Sequence, residues 1–182
     1  MNSDSILFAK EIFMKYGGSH FHMEREDEYE GYKSFGISKE QEKLWSNEYQ
    51  KEIMAKIETE EIVSPLFSQL AGLISRNKDI KGFQSLLDLA KKKRKKVDTF
   101  TQMRMAEEIL GIVESFVKNN AKVTVINEAK ELALDILNNI NVSSITIASY
   151  YKNLDYLKDV LEEDLIINRV QRLMKRWGNS NC

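Results

Sequence analysis

The chain has 182 residues, of which 42% are hydrophobic and 30% are charged, and it contains one proline. These values argue against a disordered chain, allow one domain with a sizeable core, and favour long helices because breakers are few. Its one cysteine, Cys182, excludes an internal disulfide and a cysteine-based zinc cluster within one chain.

The net charge of −1 is unevenly distributed along the chain. Residues 1–62 hold 14 acidic and 8 basic side chains, whereas residues 63–130 hold 7 acidic and 13 basic ones. These two regions could contact each other or a partner, and a uniformly basic nucleic-acid binder would look different. The start of the chain lacks the features of a signal peptide, and no apolar stretch approaches the roughly 20 residues that span a bilayer. We therefore expect a cytoplasmic protein with no membrane contact.

A 3.6-residue apolar period dominates the sequence and predicts helices in chain order. The first helix should run from about Ser5 to Tyr16, with Gly17 ending it as a left-handed residue. Residues 17–37 are the least regular part of the chain, and we expect them to form a long loop.

The second and third helices begin at recognisable caps. Ser38 stands three residues before Gln41, as in a capping box, and the apolar period that follows continues to about Ile57. Ser64 is then expected to cap a helix that has Pro65 at its first position, where the missing N–H costs nothing.

Five further helix starts are expected in the remainder of the chain. Their caps or first turns are Asp79, Asp98 or Thr99, Thr124 or Asn127, Ser143 or Ser144, and Glu162 to Asp164. The predicted ends of two of these helices are Asn119-Asn120 and Gly178, and the apolar period of the helix from Ser143 or Ser144 extends to Leu161. The stretch from Val123 to Val125 could be extended, but no second strand is evident to pair with it.

The predicted fold is therefore all-α, with about eight helices. An N-terminal helix-loop-helix segment, residues 1–62, should dock on a six-helix bundle or short α/α superhelix formed by residues 63–182, as one compact unit. Short connections predict antiparallel neighbours, and the absence of a recurring residue signature supports no named repeat family.

The two histidines, His20 and His22, lie in the stretch GGSHFHME, directly before several acidic residues. In a helix His22 and Glu26 share a face, so His20, His22 and Glu26 are candidate ligands for a divalent metal such as zinc or iron. A general acid or base role for either histidine is a second hypothesis. The alternative is that His20 and Phe21 hold a loop on the helices while the carboxylates stay solvated. No motif for a nucleotide or another cofactor occurs.

Two basic features are candidates for binding nucleic-acid phosphates or an acidic partner. They consist of Lys91, Lys92, Lys93, Arg94, Lys95 and Lys96, and of Arg169, Arg172 and Arg176 on the last helix. Both features also fit solvated helix surfaces, and no aromatic residue lies among the first set to stack on bases. They could act together only if they lie on one surface.

Aromatic and glycine residues of the irregular segment are candidate contacts for a protein partner. They are Tyr16, Gly17, Gly18, Tyr29, Tyr32 and Phe35. Alternatively, the aromatic side chains pin the segment to the helices.

The leading hypothesis is a non-catalytic cytoplasmic protein that binds another protein, with homo-oligomers also possible. A nucleic-acid-binding regulator and a metal-dependent enzyme centred on His20 and His22 are the alternatives.

Overall fold

The computed structural model describes residues 3–59, 63–118, 123–154 and 160–178, and these residues form ten α-helices, one short 3₁₀-helix and no strand. The helices are α1 (Ser3–Lys15), α2 (His20–Arg25), α3 (Tyr29–Ser34), α4 (Lys39–Thr59), α5 (Ser64–Asn77), α6 (Ile80–Lys93), η1 (Arg94–Lys96), α7 (Thr99–Val117), α8 (Val123–Asn138), α9 (Ser149–Lys152) and α10 (Glu163–Gly178). The all-α prediction is confirmed, but eight helices were too few. No helix within these ranges is both long enough and apolar enough to cross a membrane.

The chain divides into two compact units, residues 1–56 and residues 57–182. The core of the first unit consists of Ala9, Phe13, Met23, Tyr32 and Trp45. The Phe13 ring lies 5.5 Å from the Trp45 ring and 6.3 Å from the Tyr32 ring, measured between centroids. One side chain of α1 thus joins helices that lie far apart in sequence.

Two glycines turn the chain at the end of α1. Gly17 has φ +55° and Gly18 has φ +70°, so the predicted left-handed end at Gly17 is confirmed. The Gly18 N–H donates to the Phe13 carbonyl at 2.8 Å, which closes the last turn. A Cβ at Gly18 would lie 2.7 Å from Cζ of Phe13, so any other residue here would have to displace the buried Phe13 ring.

The predicted long loop of residues 17–37 is wrong, because α2 and α3 occupy most of it. The Ser19 side chain accepts a hydrogen bond from the His22 N–H and caps α2. A helix of six residues spans less than two turns, so its apolar period could not be read from the sequence. The cap at Ser38 is confirmed, since its Oγ accepts from the Gln41 N–H at 3.1 Å.

The second unit is built from helix hairpins packed side by side. Helix α7 packs against α5 and α8, and α6 packs against α5 and α8. Two hydrogen bonds show the relative direction of α5 and α7. Ser68 near the start of α5 bonds to Glu108, and Lys78 at the end of α5 bonds to Ser115, so both helices run the same way. Hairpin α5–α6 therefore lies alongside hairpin α7–α8, in a helical bundle that resembles stacked hairpins.

Helix α10 packs against α8 and α7. Arg169 pairs with Glu107, and Arg176 donates to Glu114 at 2.8 Å. From the first pair to the second, the position advances by seven residues on both helices, so α10 runs parallel to α7 rather than antiparallel to it. Its buried side chains are Ile166 and Val170.

Several predicted boundaries in the second unit need correction. Helix α5 begins at Ser64 with Val63 as its N-cap, and the Val123–Val125 stretch is helical. The predicted helix from Ser143 or Ser144 to Leu161 is wrong over residues 143–148, which precede the short α9. There Thr146 bonds instead to Thr99 at the start of α7, with 2.9 Å between the two hydroxyls. The predicted end at Asn119-Asn120 lies outside the described residues.

Candidate functional site

In the first unit a carboxylate joins a histidine to a tyrosine. The Tyr32 hydroxyl donates to Oε1 of Glu42 at 2.6 Å, and Nε2 of His20 lies 2.9 Å from the same oxygen. The rings of Tyr29 and Tyr32 lie 5.1 and 5.7 Å from the His20 ring. Helices α2, α3 and α4 thus each contribute to one small polar cluster beside the core.

The cluster fixes the protonation of its tyrosine and the orientation of its histidine. Burial, and then the hydrogen bond to Glu42, raise the pKa of Tyr32, so its hydroxyl remains a donor at neutral pH. The bond through Nε2 orients the half-exposed His20 ring, leaving Nδ1 as its other hydrogen-bonding atom. This pairing with Glu42 was missed from the sequence, because 22 residues separate the partners.

The predicted metal ligands are not brought together as a set. His20 pairs with Glu42, the exposed His22 packs its ring against Phe21, and Glu26 is the exposed C-cap of α2. Among the described residues, no group of three or more His, Cys, Asp or Glu side chains could hold a metal ion. The metal site at His20, His22 and Glu26 stays a prediction.

Most of the residues predicted to contact a protein partner pack within the first unit. Tyr32 lies in its core with 3% of its surface exposed, and Tyr16, Tyr29 and Phe35 are partly buried against that core. Gly17 and Gly18 form the turn after α1. This placement favours the interpretation that the aromatic side chains pin the segment, and binding of a protein partner by these residues stays a prediction.

The basic run at the end of α6 is largely paired within its own unit. Lys91 binds Glu128 at 2.7 Å and Lys92 binds Glu58 at 2.6 Å, while Arg94 pairs with Asp135. In addition, the Lys93 ammonium donates to the Glu58 carbonyl. Three carboxylates therefore reduce the local positive charge, although such exposed pairs are individually weak.

Two of the three predicted arginines of α10 are paired with carboxylates of α7. Arg169 and Arg176 hold α10 on α7, whereas Arg172 donates from Nε to the Asn168 carbonyl of its own helix. The two predicted basic features thus contact carboxylates of different helices, since the pairs of the α6 run involve α4 and α8. Their joint binding of nucleic acid stays a prediction.

The outward side of α1 exposes two large apolar side chains, which were not predicted from the sequence. Leu7 and Phe8 are 59% and 55% exposed, whereas Ala9 and Phe13 on the opposite side are in the core. The Phe8 ring packs edge-on against Phe35, with 5.9 Å between centroids. Three apolar residues in succession before Ala9 were the signal, because one helix face cannot hold them all.

A pocket of about 460 Å³ lies in the second unit beside η1. Its lining residues are Arg94, Lys95, Gln102, Asp135, Ile136 and Asn139. Arg94 holds the pKa of Asp135 below its usual range, chiefly through their hydrogen bond.

Comparison with known proteins finds no match for this chain: no family model, no curated protein and no solved structure.

Proposed function

We propose that the chain is a non-catalytic cytoplasmic regulatory protein that binds another protein through the outward face of α1. The proposal depends on the exposure of Leu7 and Phe8, on a helix whose other side already packs into the core. A surface helix normally buries its large apolar side chains, so two neighbouring ones left exposed support a surface that a partner covers.

The geometry of this face suits a binding anchor. Phe8 is held by the Phe35 ring, and Lys10 of α1 forms an ion pair with Glu48 of α4. A side chain that is ordered before binding loses less conformational freedom when a partner contacts it. Leu7 and Phe8 are 59% and 55% exposed, so burying the remainder would contribute about 1–2 kcal/mol for each residue, and the two together reach the scale of an interface hot spot.

The rim of this face indicates the chemistry of the partner. Asp4 lies three residues before Leu7, and Glu11 lies four residues after it, so both carboxylates flank the apolar pair on one side of α1. Both side chains are exposed. We therefore expect the partner to present an apolar centre with basic residues around it.

The test compares pull-downs from the source cell with three forms of the full chain. The wild type and the Val123→Ser control should recover the same partner, because Val123 is 68% exposed on the other unit. The Leu7→Ser/Phe8→Ser double variant should lose that partner. Circular dichroism should show unchanged helix content in both variants. Recovery of the same proteins by the double variant, or of none by the wild type, would contradict the proposal.

A further inference from the structure

The pocket beside η1 lies where three elements of the second unit converge. Arg94 and Lys95 come from η1, Gln102 comes from the first turn of α7, and Asp135 and Asn139 lie four residues apart at the end of α8. Its volume of about 460 Å³ is in the range of small-molecule sites.

The charges of the pocket favour an anion. Arg94 pairs with Asp135 through one nitrogen, and a guanidinium has five N–H donors, so others are left for a ligand. Lys95 is exposed and forms no ion pair within the described ranges. Two cations therefore face a single carboxylate.

The two carboxamide side chains of the pocket are oriented by hydrogen bonds that their nitrogen atoms donate. Nε2 of Gln102 donates to the Val97 carbonyl at 3.0 Å, and Nδ2 of Asn139 donates to both the carbonyl and the carboxylate of Asp135. Their oxygen atoms are thus available as acceptors for hydroxyl groups. Among the described residues that line the pocket, Ile136 is the one apolar residue and none is aromatic.

We propose that this pocket binds a small phosphate monoester that carries several hydroxyl groups, such as a sugar phosphate. The phosphate contacts Lys95 and the spare donors of Arg94, and the hydroxyls donate to Gln102 and Asn139. A nucleotide fits less well, because none of the described lining residues has a ring that could stack on its base. This site is independent of the α1 surface.

Isothermal titration of the full chain with glucose 6-phosphate, glucose, inorganic phosphate and AMP tests the proposal. Glucose 6-phosphate should bind more tightly than each of the other three. The Lys95→Gln variant should weaken its binding about tenfold, through the loss of a charge-assisted hydrogen bond. The matched control is Lys96→Gln, which removes the same charge one residue outside the lining and should change affinity less than about twofold.

Four outcomes would overturn the proposal. The first is no measurable heat with glucose 6-phosphate at about 10 mM, which corresponds to negligible affinity. The second is glucose binding as tightly as its phosphate, and the third is AMP binding more tightly than glucose 6-phosphate. The fourth is an equal loss of affinity in Lys95→Gln and Lys96→Gln, together with tighter binding of a mixed-sequence oligonucleotide, which would indicate a nucleic-acid surface.

Discussion

Gly18→Ala should destabilise the first unit much more than the same change at Gly36. Both residues have a left-handed backbone, with φ +70° at Gly18 and φ +58° at Gly36. At Gly18 the new Cβ would lie 2.7 Å from Cζ of the buried Phe13, whereas at Gly36 it would meet nothing within 4 Å. The pair therefore separates backbone strain from a steric clash.

The expected magnitudes follow from these two costs. Left-handed alanine costs about 1–2 kcal/mol at either site, offset by about 0.4–1 kcal/mol because alanine restricts the unfolded chain. At Gly18 the displacement of Phe13 adds about 1–3 kcal/mol, since a packed core tolerates extra volume poorly. We expect a loss of about 1 kcal/mol for Gly36→Ala and about 2–4 kcal/mol for Gly18→Ala.

Urea unfolding of the full chain measures both losses. The chain has two tryptophans, so a Trp177→Phe background leaves Trp45 as the probe of the first unit. Trp45 is well suited to this purpose because its ring contacts Phe13 directly. Equal losses for Gly18→Ala and Gly36→Ala would refute the steric argument, since backbone strain alone would then explain both.

Three further changes test other contacts by urea unfolding. Arg94 lowers the pKa of Asp135 in the folded state. The stability that this ion pair contributes is therefore present above the ordinary carboxyl pKa of about 3.9 and is lost as the pH falls through the lower folded value. Arg94→Gln should thus lose less stability than the wild type between pH 7 and pH 3. Thr146→Val removes side-chain hydrogen bonds to the first turn of α7 and should cost about 1–3 kcal/mol. Tyr32→Phe removes the hydroxyl that donates to the Glu42 carboxylate and should cost about 1.5–3 kcal/mol, the range for a hydrogen bond to a charged group.

Each of these changes has a matched control at an exposed position. Arg172→Gln should leave the acid dependence unchanged, because Arg172 bonds to a carbonyl of its own helix. Thr124→Val and Tyr150→Phe should each change stability by less than about 0.5 kcal/mol, as surface substitutions usually do. The reasoning fails for any contact whose variant behaves like its control.

Helix starts with local chemistry were predictable from the sequence. Asp79 and Asp98 both cap helices as expected, and their side chains accept from Gly82 and Thr101 N–H groups. Such a cap involves residues three apart, so the sequence contains the whole interaction.

Features that depend on distant residues were not predictable. Residues 143–148 resemble a helix start, but Thr146 hydrogen-bonds to Thr99, 47 residues away. His20 likewise pairs with Glu42 rather than with the carboxylates that follow it in sequence. In both cases tertiary contacts override the local pattern. The α1 surface was missed because assigning Phe8 to a face requires knowing which side of α1 the core occupies.

The central position of α7 determines the order in which the second unit opens. This helix packs against α5, α8 and α10, and most of its residues are buried. In α10, by contrast, the fully buried residues are Ile166 and Val170, and exposed or half-exposed arginines add ion pairs to α7. Local opening begins where few apolar contacts must be broken. The amide hydrogens of α10 should therefore exchange with solvent deuterium through partial opening, while those of α7 exchange only when the whole unit unfolds.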